Sequence, residues 1–223
     1  YRMPTVTELY QAISTPGPQL TVPDPNLRPE HANSYELAAA YKTDGARVRL
    51  SLFREDITNA ILSQSSPLIA GSTALYTYIQ NVDRTRVQGV ELVADQSDVL
   101  IDGLDLSGSL TYTDGHTVKD KAFPAAVGKF IPQRPRFRAE MVATYHATDA
   151  LALTLAGRYS DRSFATFDNS DSNSHTFQGF DGYFVMDARA HYQIDGNWSA
   201  ALGVDNLNND KYFLYHPFPQ RTF

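Results

Sequence analysis

The sequence predicts an all-β protein, an antiparallel transmembrane β-barrel with about nine strands. Three observations support this fold class. Apolar and polar residues alternate along almost the whole chain, the connections between the alternating segments are short and long in turn, and aromatic residues lie at both ends of the predicted strands. Most of the alternating segments are about ten residues long, which is what a tilted strand needs to cross a bilayer.

The alternation defines each strand in turn. In the segment 183–194, one parity includes Phe184 and Met186, and the other includes Asp187 and Arg189, so one face is apolar and the other is charged. The same pattern predicts strands over residues 35–41, 46–52, 86–96, 104–113, 136–146, 151–160 and 198–206. A last strand is expected over about residues 214–223.

The connections indicate how the barrel lies in the membrane. Short turns rich in Asp, Gly or Asn are predicted at residues 42–45, 96–103, 147–150 and 195–197. Long loops are predicted at residues 1–33, 57–85, 114–135 and 161–181, and only the connection 207–214 breaks the alternation. Bacterial outer-membrane barrels place short turns in the periplasm and long loops outside. We therefore expect a tall extracellular hairpin that rises from Asp56, with its tip at Gly71, Ser72 and Thr73.

Aromatic residues on the apolar faces form two predicted girdles. Tyr112 and Tyr159 lie at the loop ends of their strands, and the turn ends carry Tyr41, Tyr145, Tyr192 and Trp198. Amphipathic rings prefer the level at which hydrocarbon meets headgroups. A soluble β-sandwich also alternates apolar and polar faces, but nothing in it requires girdles or alternating connection lengths.

Composition excludes several classes of protein. The 223 residues include 19 Lys+Arg and 25 Asp+Glu, so the net charge of −6 does not suit a nucleic-acid partner. No stretch approaches the ~18 apolar residues of a membrane helix, and the absence of cysteine excludes disulfide scaffolds and thiol catalysis. Residues 1–20 resemble no signal peptide, so the chain is either not exported or lacks its start. An odd strand number with unpaired edges favours the latter, because lipid does not tolerate open sheet edges.

Specific stretches of the sequence carry a family resemblance. They are YRMPTVTELY at 1–10 with PNLRPE at 25–30, SYEL at 34–37, LFREDI at 52–57, NV at 81–82 with QGVEL at 88–92, IPQRP at 131–135, and GVDNL at 203–207 with residues 212–223. Together they resemble, in the right order, the barrels of TonB-dependent outer-membrane receptors.

The resemblance implies a location, a domain organisation and partners. In this family a 22-stranded barrel encloses a plug domain, so residues 1–223 are expected to be the C-terminal part of that barrel, located in the bacterial outer membrane. The resemblance implies that the plug, the TonB box and the earlier strands lie outside residues 1–223. The implied partners are the plug and upstream strands, TonB through the plug, the lipid bilayer with lipopolysaccharide, and a scarce nutrient such as a ferric siderophore, cobalamin or another metal chelate. No cofactor is expected, and the terminal Phe223 is expected to be the signal for barrel assembly.

Candidate site residues fall into two groups. A charged ladder is predicted to face the lumen, where it either holds the plug and lines the ligand path or forms a hydrated wall; its members are Arg136, Arg138, Glu140, Arg158, Asp187, Arg189 and His191. Candidate extracellular ligand contacts are His116, His175, Tyr76 and Tyr78.

Two other functions stay open from the residues alone. A small outer-membrane enzyme of protease or lipase type would need a nucleophile and a base at the loop rim, and no nucleophile motif accompanies His116 or His175. A soluble carbohydrate-binding β-domain would need no detergent. The six histidines are dispersed without metal-binding spacing, so no metal site and no catalytic residue are predicted.

Overall fold

The computed structural model describes residues 1–10, 20–66, 76–172, 174 and 180–213. These residues form almost entirely β-structure. The elements are a short helix α1 (Val6–Tyr10), a 3-10 turn (Pro124–Ala126) and the strands β1 (Leu20–Val22), β2 (His31–Lys42), β3 (Ala46–Ser66), β4 (Tyr76–Gln96), β5 (Leu104–Lys119), β6 (Phe137–His146), β7 (Leu151–Ser160), β8 (Tyr183–Gln193) and β9 (Ser199–Val204). Over these ranges, no helix has the length and apolar character that a membrane crossing requires.

The strands β2 to β9 form one antiparallel sheet in which each strand pairs with the next along the chain. Eight of the nine predicted strands are therefore confirmed. The ninth, over residues 214–223, and Phe223 with it, lies outside the described residues. The short β1 was not predicted, and it pairs in parallel with the upper end of β4.

Short turns join the strands at one end of the sheet, as predicted. In the β4–β5 turn, Gly103 has a φ of +79°, and a Cβ there would lie 2.9 Å from the carbonyl oxygen of His146, so this turn requires glycine. In the β8–β9 turn, the carboxylate of Asp195 accepts hydrogen bonds from the backbone N–H groups of Asn197 at 2.8 Å and Trp198 at 3.0 Å. Local turn chemistry therefore sets this end of the sheet.

The other end of the sheet is much taller near β3 and β4 than near β6 and β7. Strands β3 and β4 have 21 residues each, whereas β6 and β7 have 10. At ~3.3 Å per residue these lengths are ~70 Å and ~33 Å. The prediction of loops over residues 57–85 and 114–135 is therefore wrong in part, because residues 57–66, 76–85 and 114–119 continue the strands. The expected tall hairpin is confirmed in its two legs, and its tip lies outside the described residues.

The two faces of the sheet differ in the way that the alternation predicted. Across β5 and β6, Leu110 lies opposite Ala139 on the apolar face, and Ser109 lies opposite Glu140 on the polar face. The apolar face is exposed even on strands that have a neighbour on each side: Leu110 is 44% and Leu155 is 45% exposed. A soluble protein buries such a face, so its exposure across eight strands indicates contact with lipid.

A small apolar core holds the long connections together above the sheet. It contains Ala60 and Val82 from β3 and β4, Ala126 from the β5–β6 connection and Phe167 from the β7–β8 connection. Phe167 is 2% exposed. The core therefore fixes three connections relative to one another at the loop end of the sheet.

Candidate functional site

The N-terminal segment is held on the β3–β4 hairpin by hydrogen bonds between the backbone of Ile61 and the ion-paired side chains of Arg2 and Glu30. The guanidinium of Arg2 donates hydrogen bonds to Glu8 at 3.0 Å and to the carbonyl oxygen of Ile61 at 3.1 Å, and lies 3.6 Å from the carboxylate of Glu30. Burial raises the pKa of Glu8, but hydrogen bonds from Thr5 and Arg2 outweigh burial, so the pKa is lowered overall.

A side-chain amide makes the second link between this segment and the hairpin. The Oδ1 of Asn81 accepts the backbone N–H of Arg28 at 2.7 Å, and its Nδ2 donates to the carbonyl oxygens of Arg28 at 2.9 Å and Asn59 at 2.8 Å. Arg2, Glu8, Glu30, Arg28 and Asn81 all lie in the stretches that carry the family resemblance. Their spacing in the sequence is therefore explained by contacts at the loop end of the sheet.

Stacked aromatic rings and guanidinium groups join the β5–β6 and β7–β8 connections. The ring of Phe130 lies 4.6 Å from that of His116 and 4.9 Å from the guanidinium carbon of Arg136. Phe164 stacks on Phe130 at 6.1 Å, and Arg162 lies over the Phe164 ring at 5.4 Å. Such contacts are worth ~0.5–2 kcal/mol each and give this part of the loop surface a defined shape.

The structure describes only some of the four residues that were predicted to contact an extracellular ligand. The Nε2 of His116 lies 2.6 Å from Asp114, and its Nδ1 is buried without a hydrogen-bond partner among the described residues. His175 lies outside the described residues. Tyr76 and Tyr78 belong to β4, and their side chains are outside the description. A role for these four residues in ligand contact stays a prediction.

Six residues of the predicted lumen ladder occupy the polar face of β6, β7 and β8; they are Arg138, Glu140, Arg158, Asp187, Arg189 and His191. Glu140 lies opposite Arg158, and Arg158 donates to one carboxylate oxygen of Asp187 at 3.0 Å. The other oxygen of Asp187 accepts the backbone N–H of Asn206 at 2.8 Å. Each carboxylate oxygen of Asp187 thus accepts a hydrogen bond from within the wall. Its predicted contact with a plug stays a prediction.

Arg136 does not join this ladder, and its predicted direction is wrong. Its guanidinium donates a hydrogen bond to the hydroxyl of Tyr112 at 3.1 Å and lies 5.8 Å from the centre of that ring. Tyr112 lies on the apolar face, opposite Phe137. Arg136 precedes β6, where the strand geometry no longer dictates its direction, so attraction to Tyr112 and Phe130 decides it.

The polar face also carries ion pairs that the sequence analysis did not single out. Arg49 donates to Glu36 at 2.8 Å and Arg47 to Asp95 at 3.0 Å. The alternation over residues 46–52 contained the signal for Arg47 and Arg49, since it places them on the polar parity. We name these two pairs and the Arg158–Asp187 pair the inner ion pairs.

A different arrangement lies on the apolar face, above the aromatic girdle. Arg54, Arg84 and Arg86 donate to the single carboxylate of Asp56 at 2.9, 3.0 and 2.9 Å. We name these four residues the outer arginine cluster. The sequence did not reveal this cluster, because the predicted strands ended at Leu52 and began again at Arg86, which left Arg54, Asp56 and Arg84 outside any predicted strand pairing.

The register places this cluster just outside the membrane-spanning part of the sheet. Arg54 lies opposite Tyr35, and Asp56 lies two residues further up, opposite Arg86. Burial raises the pKa of Asp56, but hydrogen bonds from Arg54, Arg86 and Arg84 outweigh it and lower the pKa to about 2.

The apolar face below the cluster contains a shallow groove of about 600 Å³. Its lining is almost entirely aliphatic and aromatic and includes Val48, Leu92, Leu110, Met141 and Phe184. It offers little that would recognise a polar ligand. In the ranges that the structure covers, no three His, Asp or Glu side chains gather as metal ligands would.

Comparison with known proteins gives a family match over most of the chain. A family model described as "TonB dependent receptor-like, beta-barrel" matches residues 1–207. The ferric enterobactin receptor of Pseudomonas aeruginosa is 28% identical over 199 residues, which are 84% of this chain and 25% of that protein. The probable hemoglobin and hemoglobin-haptoglobin-binding protein 1 of Haemophilus influenzae is 28% identical over 148 residues, which are 62% of this chain and 14% of that protein.

A solved structure shows the same fold. The copper transporter OprC superposes with a TM-score of 0.70 at 21% identity, and the match covers 95% of this chain and 30% of that chain. The chain therefore spans a third or less of the length of each of these three proteins.

Proposed function

Because this chain belongs to the TonB-dependent receptor family, as part of its β-barrel, we propose that it forms the C-terminal part of the barrel of a receptor that imports a scarce nutrient across the bacterial outer membrane. The observation that carries the proposal is the antiparallel sheet β2–β9 with its exposed apolar face, polar inner face and connected loops. That combination suits a barrel wall in a bilayer.

The substrate class is an iron-siderophore or another metal chelate. The names of the matched proteins include a ferric enterobactin receptor, a hemoglobin-binding protein and a copper transporter, which support a metal-containing cargo for this chain as well. The loop end of the sheet, where Phe130, Phe164, Arg162 and Arg136 are stacked, is the side that would meet the cargo first.

The partners of this part of the barrel follow from its free surfaces. Among the described strands, β2 is paired only with β3 and β9 only with β8, so each has one open edge. Unpaired backbone groups in lipid cost several kcal/mol each, so the β2 edge requires the upstream strands and the β9 edge requires the strand predicted over residues 214–223. The polar face would surround the plug, through which TonB acts, and the apolar face would meet the bilayer and its lipopolysaccharide.

Members of the matched family are receptors rather than enzymes. The enzyme alternative needed a nucleophile and a base at the rim. One ring nitrogen of His116 contacts Asp114, and the other is buried without a hydrogen-bond partner among the described residues, so no described hydroxyl is bonded to it as a nucleophile would be. Transport is therefore the better interpretation of the loop surface.

The test compares this chain alone with the complete receptor, each exported through a signal peptide. The complete receptor should form a detergent-requiring barrel that migrates differently on gels before and after heating, and should support uptake of a radiolabelled ferric chelate. A soluble, monomeric, β-rich fold of residues 1–223 alone would contradict the proposal. A correctly folded receptor that takes up no chelate in a panel of iron, copper and cobalt complexes would contradict the substrate class only.

A further inference from the structure

We propose that the outer arginine cluster binds the phosphate groups of lipids in the outer leaflet, and so holds a phosphorylated lipid at a fixed place beside β3 and β4. The inference rests on the proposed membrane setting and adds a binding site to it. The site uses Arg54, Arg84 and Arg86, which no part of the transport function requires.

The position of the outer arginine cluster on the sheet supports binding to lipid phosphate. On β3, Arg54 and Asp56 continue the parity of Leu50 and Leu52, and on β4, Arg86 continues the parity of Val90. The cluster therefore lies on the lipid-facing side, directly above the apolar band and level with or above Tyr35. That is the level at which the phosphate groups of outer-leaflet lipids lie.

The excess positive charge of the outer arginine cluster also favours a phosphate ligand. Three guanidinium groups share one carboxylate, which leaves two positive charges uncompensated (3 − 1 = 2). Among the ion pairs of the described residues, Asp56 is the only carboxylate that meets them. Lys119 lies directly opposite Arg84 and adds a further cation. On the adjacent strand β5, Asp114 lies opposite Gln88 and is paired with His116.

The guanidinium groups of the cluster are also oriented in a way that suits a phosphate ligand. Arg54 and Arg86 use Nε to contact Asp56, so their terminal nitrogens have no partner within the described part of the chain. The side chains of Arg54, Arg84 and Arg86 are 45%, 46% and 33% exposed, whereas Asp56 is 15% exposed. Asp56 thus orients three guanidinium groups whose free edges point away from it. Guanidinium groups bind phosphate oxygens bidentately, which suits this arrangement.

The surface below the cluster suits the remainder of a lipid. The apolar groove includes Leu92, six residues below Arg86 on β4 and therefore ~20 Å away along the strand. Small residues such as Gly108, Ala139 and Gly157 line it and leave room beside the larger side chains. A phosphate at the cluster thus leaves the acyl chains against an apolar surface.

The experiment measures lipid retention by the complete receptor in detergent, using native mass spectrometry. The probe is lipid A with two phosphates, compared with the same lipid after removal of both phosphates. The variant is Arg84→Gln with Arg86→Gln on β4, and the matched control is Arg47→Gln with Arg49→Gln on the polar face of β3. We expect the β4 variant to weaken retention of phosphorylated lipid A by about tenfold, the control to leave it unchanged, and dephosphorylated lipid A to bind weakly to all three proteins.

Three results would overturn the inference. These are equal retention by the β4 variant and the unaltered receptor, equal retention of both lipids, and displacement of the lipid by inorganic phosphate at equal concentration. If the double variant fails to assemble, Arg84→Gln alone is measured, with a smaller loss expected in the same direction. Lipid retention and chelate uptake are measured separately. A receptor that takes up no chelate can still retain phosphorylated lipid, and a receptor that retains no lipid can still take up a chelate, so the two proposals fail independently.

Discussion

The outer arginine cluster and the inner ion pairs use the same residue types in different proportions. In the three inner ion pairs, each arginine has its own carboxylate: Arg49–Glu36, Arg47–Asp95 and Arg158–Asp187. On the apolar face three arginines share Asp56. Each inner ion pair is therefore neutral in itself, whereas the outer arginine cluster is left with excess positive charge.

This difference shows how one sheet meets two environments. A self-neutralised wall stays hydrated without attracting ions strongly, which suits a lumen that surrounds a plug and passes a cargo. A cationic patch above an apolar band instead attracts the anionic surface of a membrane. The number of carboxylates per arginine thus distinguishes the inner ion pairs from the outer arginine cluster.

The largest expected effect comes from placing a charge on the wrong face. In the complete receptor, Leu110→Arg should lower the free energy of unfolding by ~2–4 kcal/mol, because it puts a guanidinium in the lipid-facing band. The neighbouring Thr111→Arg should change it by less than ~1 kcal/mol, since Thr111 lies on the polar face. Urea unfolding in lipid vesicles measures both free energies. Equal losses of unfolding free energy in the two variants would contradict the assignment of the two faces.

The second-largest effect is expected when a carboxylate shared by three arginines is removed, compared with a carboxylate that pairs with one arginine. Asp56→Asn leaves three arginines without an anion and should cost ~1–3 kcal/mol in detergent. Asp95→Asn, which breaks one exposed inner pair, should cost ~0–1 kcal/mol. Phosphorylated lipid should restore part of the stability of the Asp56 variant only. Thermal unfolding with and without the lipid tests this, and no rescue would argue against excess charge at the cluster.

The pH dependence of the Asp56 contribution sharpens the comparison further. The folded pKa of Asp56 is lowered from 3.8 to about 2, so its stabilisation is fully present above pH 3.8 and is lost as the pH falls through about 2. The stability difference between the receptor and its Asp56→Asn variant should therefore be constant from pH 8 to pH 4 and should shrink below that. A difference that already fades at pH 6 would show that another group supplies it.

The smallest effect is expected at an inner pair. Arg49→Gln should change stability by less than ~0.5 kcal/mol, because Arg49 and Glu36 are both about half exposed and water replaces their contact. Chelate uptake should also be unchanged. A large loss of uptake with normal stability would assign Arg49 a function in the lumen that a neutralised wall does not have.

The period-two alternation predicted eight strands and the two faces, because the pleat of a strand places successive side chains on opposite sides. It failed above the membrane. There Arg54, Asp56, Arg84 and Arg86 are charged on the parity that is apolar lower down, so the pattern that marks a strand disappears although the backbone pairing continues.

Other features could not be predicted from the sequence, because they depend on contacts between residues that are far apart in the chain. The direction of Arg136 is decided by Tyr112, 24 residues away, and by Phe130. The attachment of residues 1–10 depends on a contact between Arg2 and Ile61, 59 residues apart. Family resemblance marked these stretches, but only the folded chain gives the contacts that explain them.

The central claim is that the apolar face meets lipid and the polar face meets water. Residues 1–223 contain no cysteine, so Leu110→Cys and Thr111→Cys, made in a receptor that is otherwise free of cysteine, each give one site for a nitroxide spin label. The account predicts that in vesicles the label at residue 110 is relaxed by dissolved oxygen and that the label at residue 111 is relaxed by a water-soluble nickel chelate. Nickel access at both positions, or the reverse pattern, would contradict the assignment of the faces and with it the transmembrane barrel.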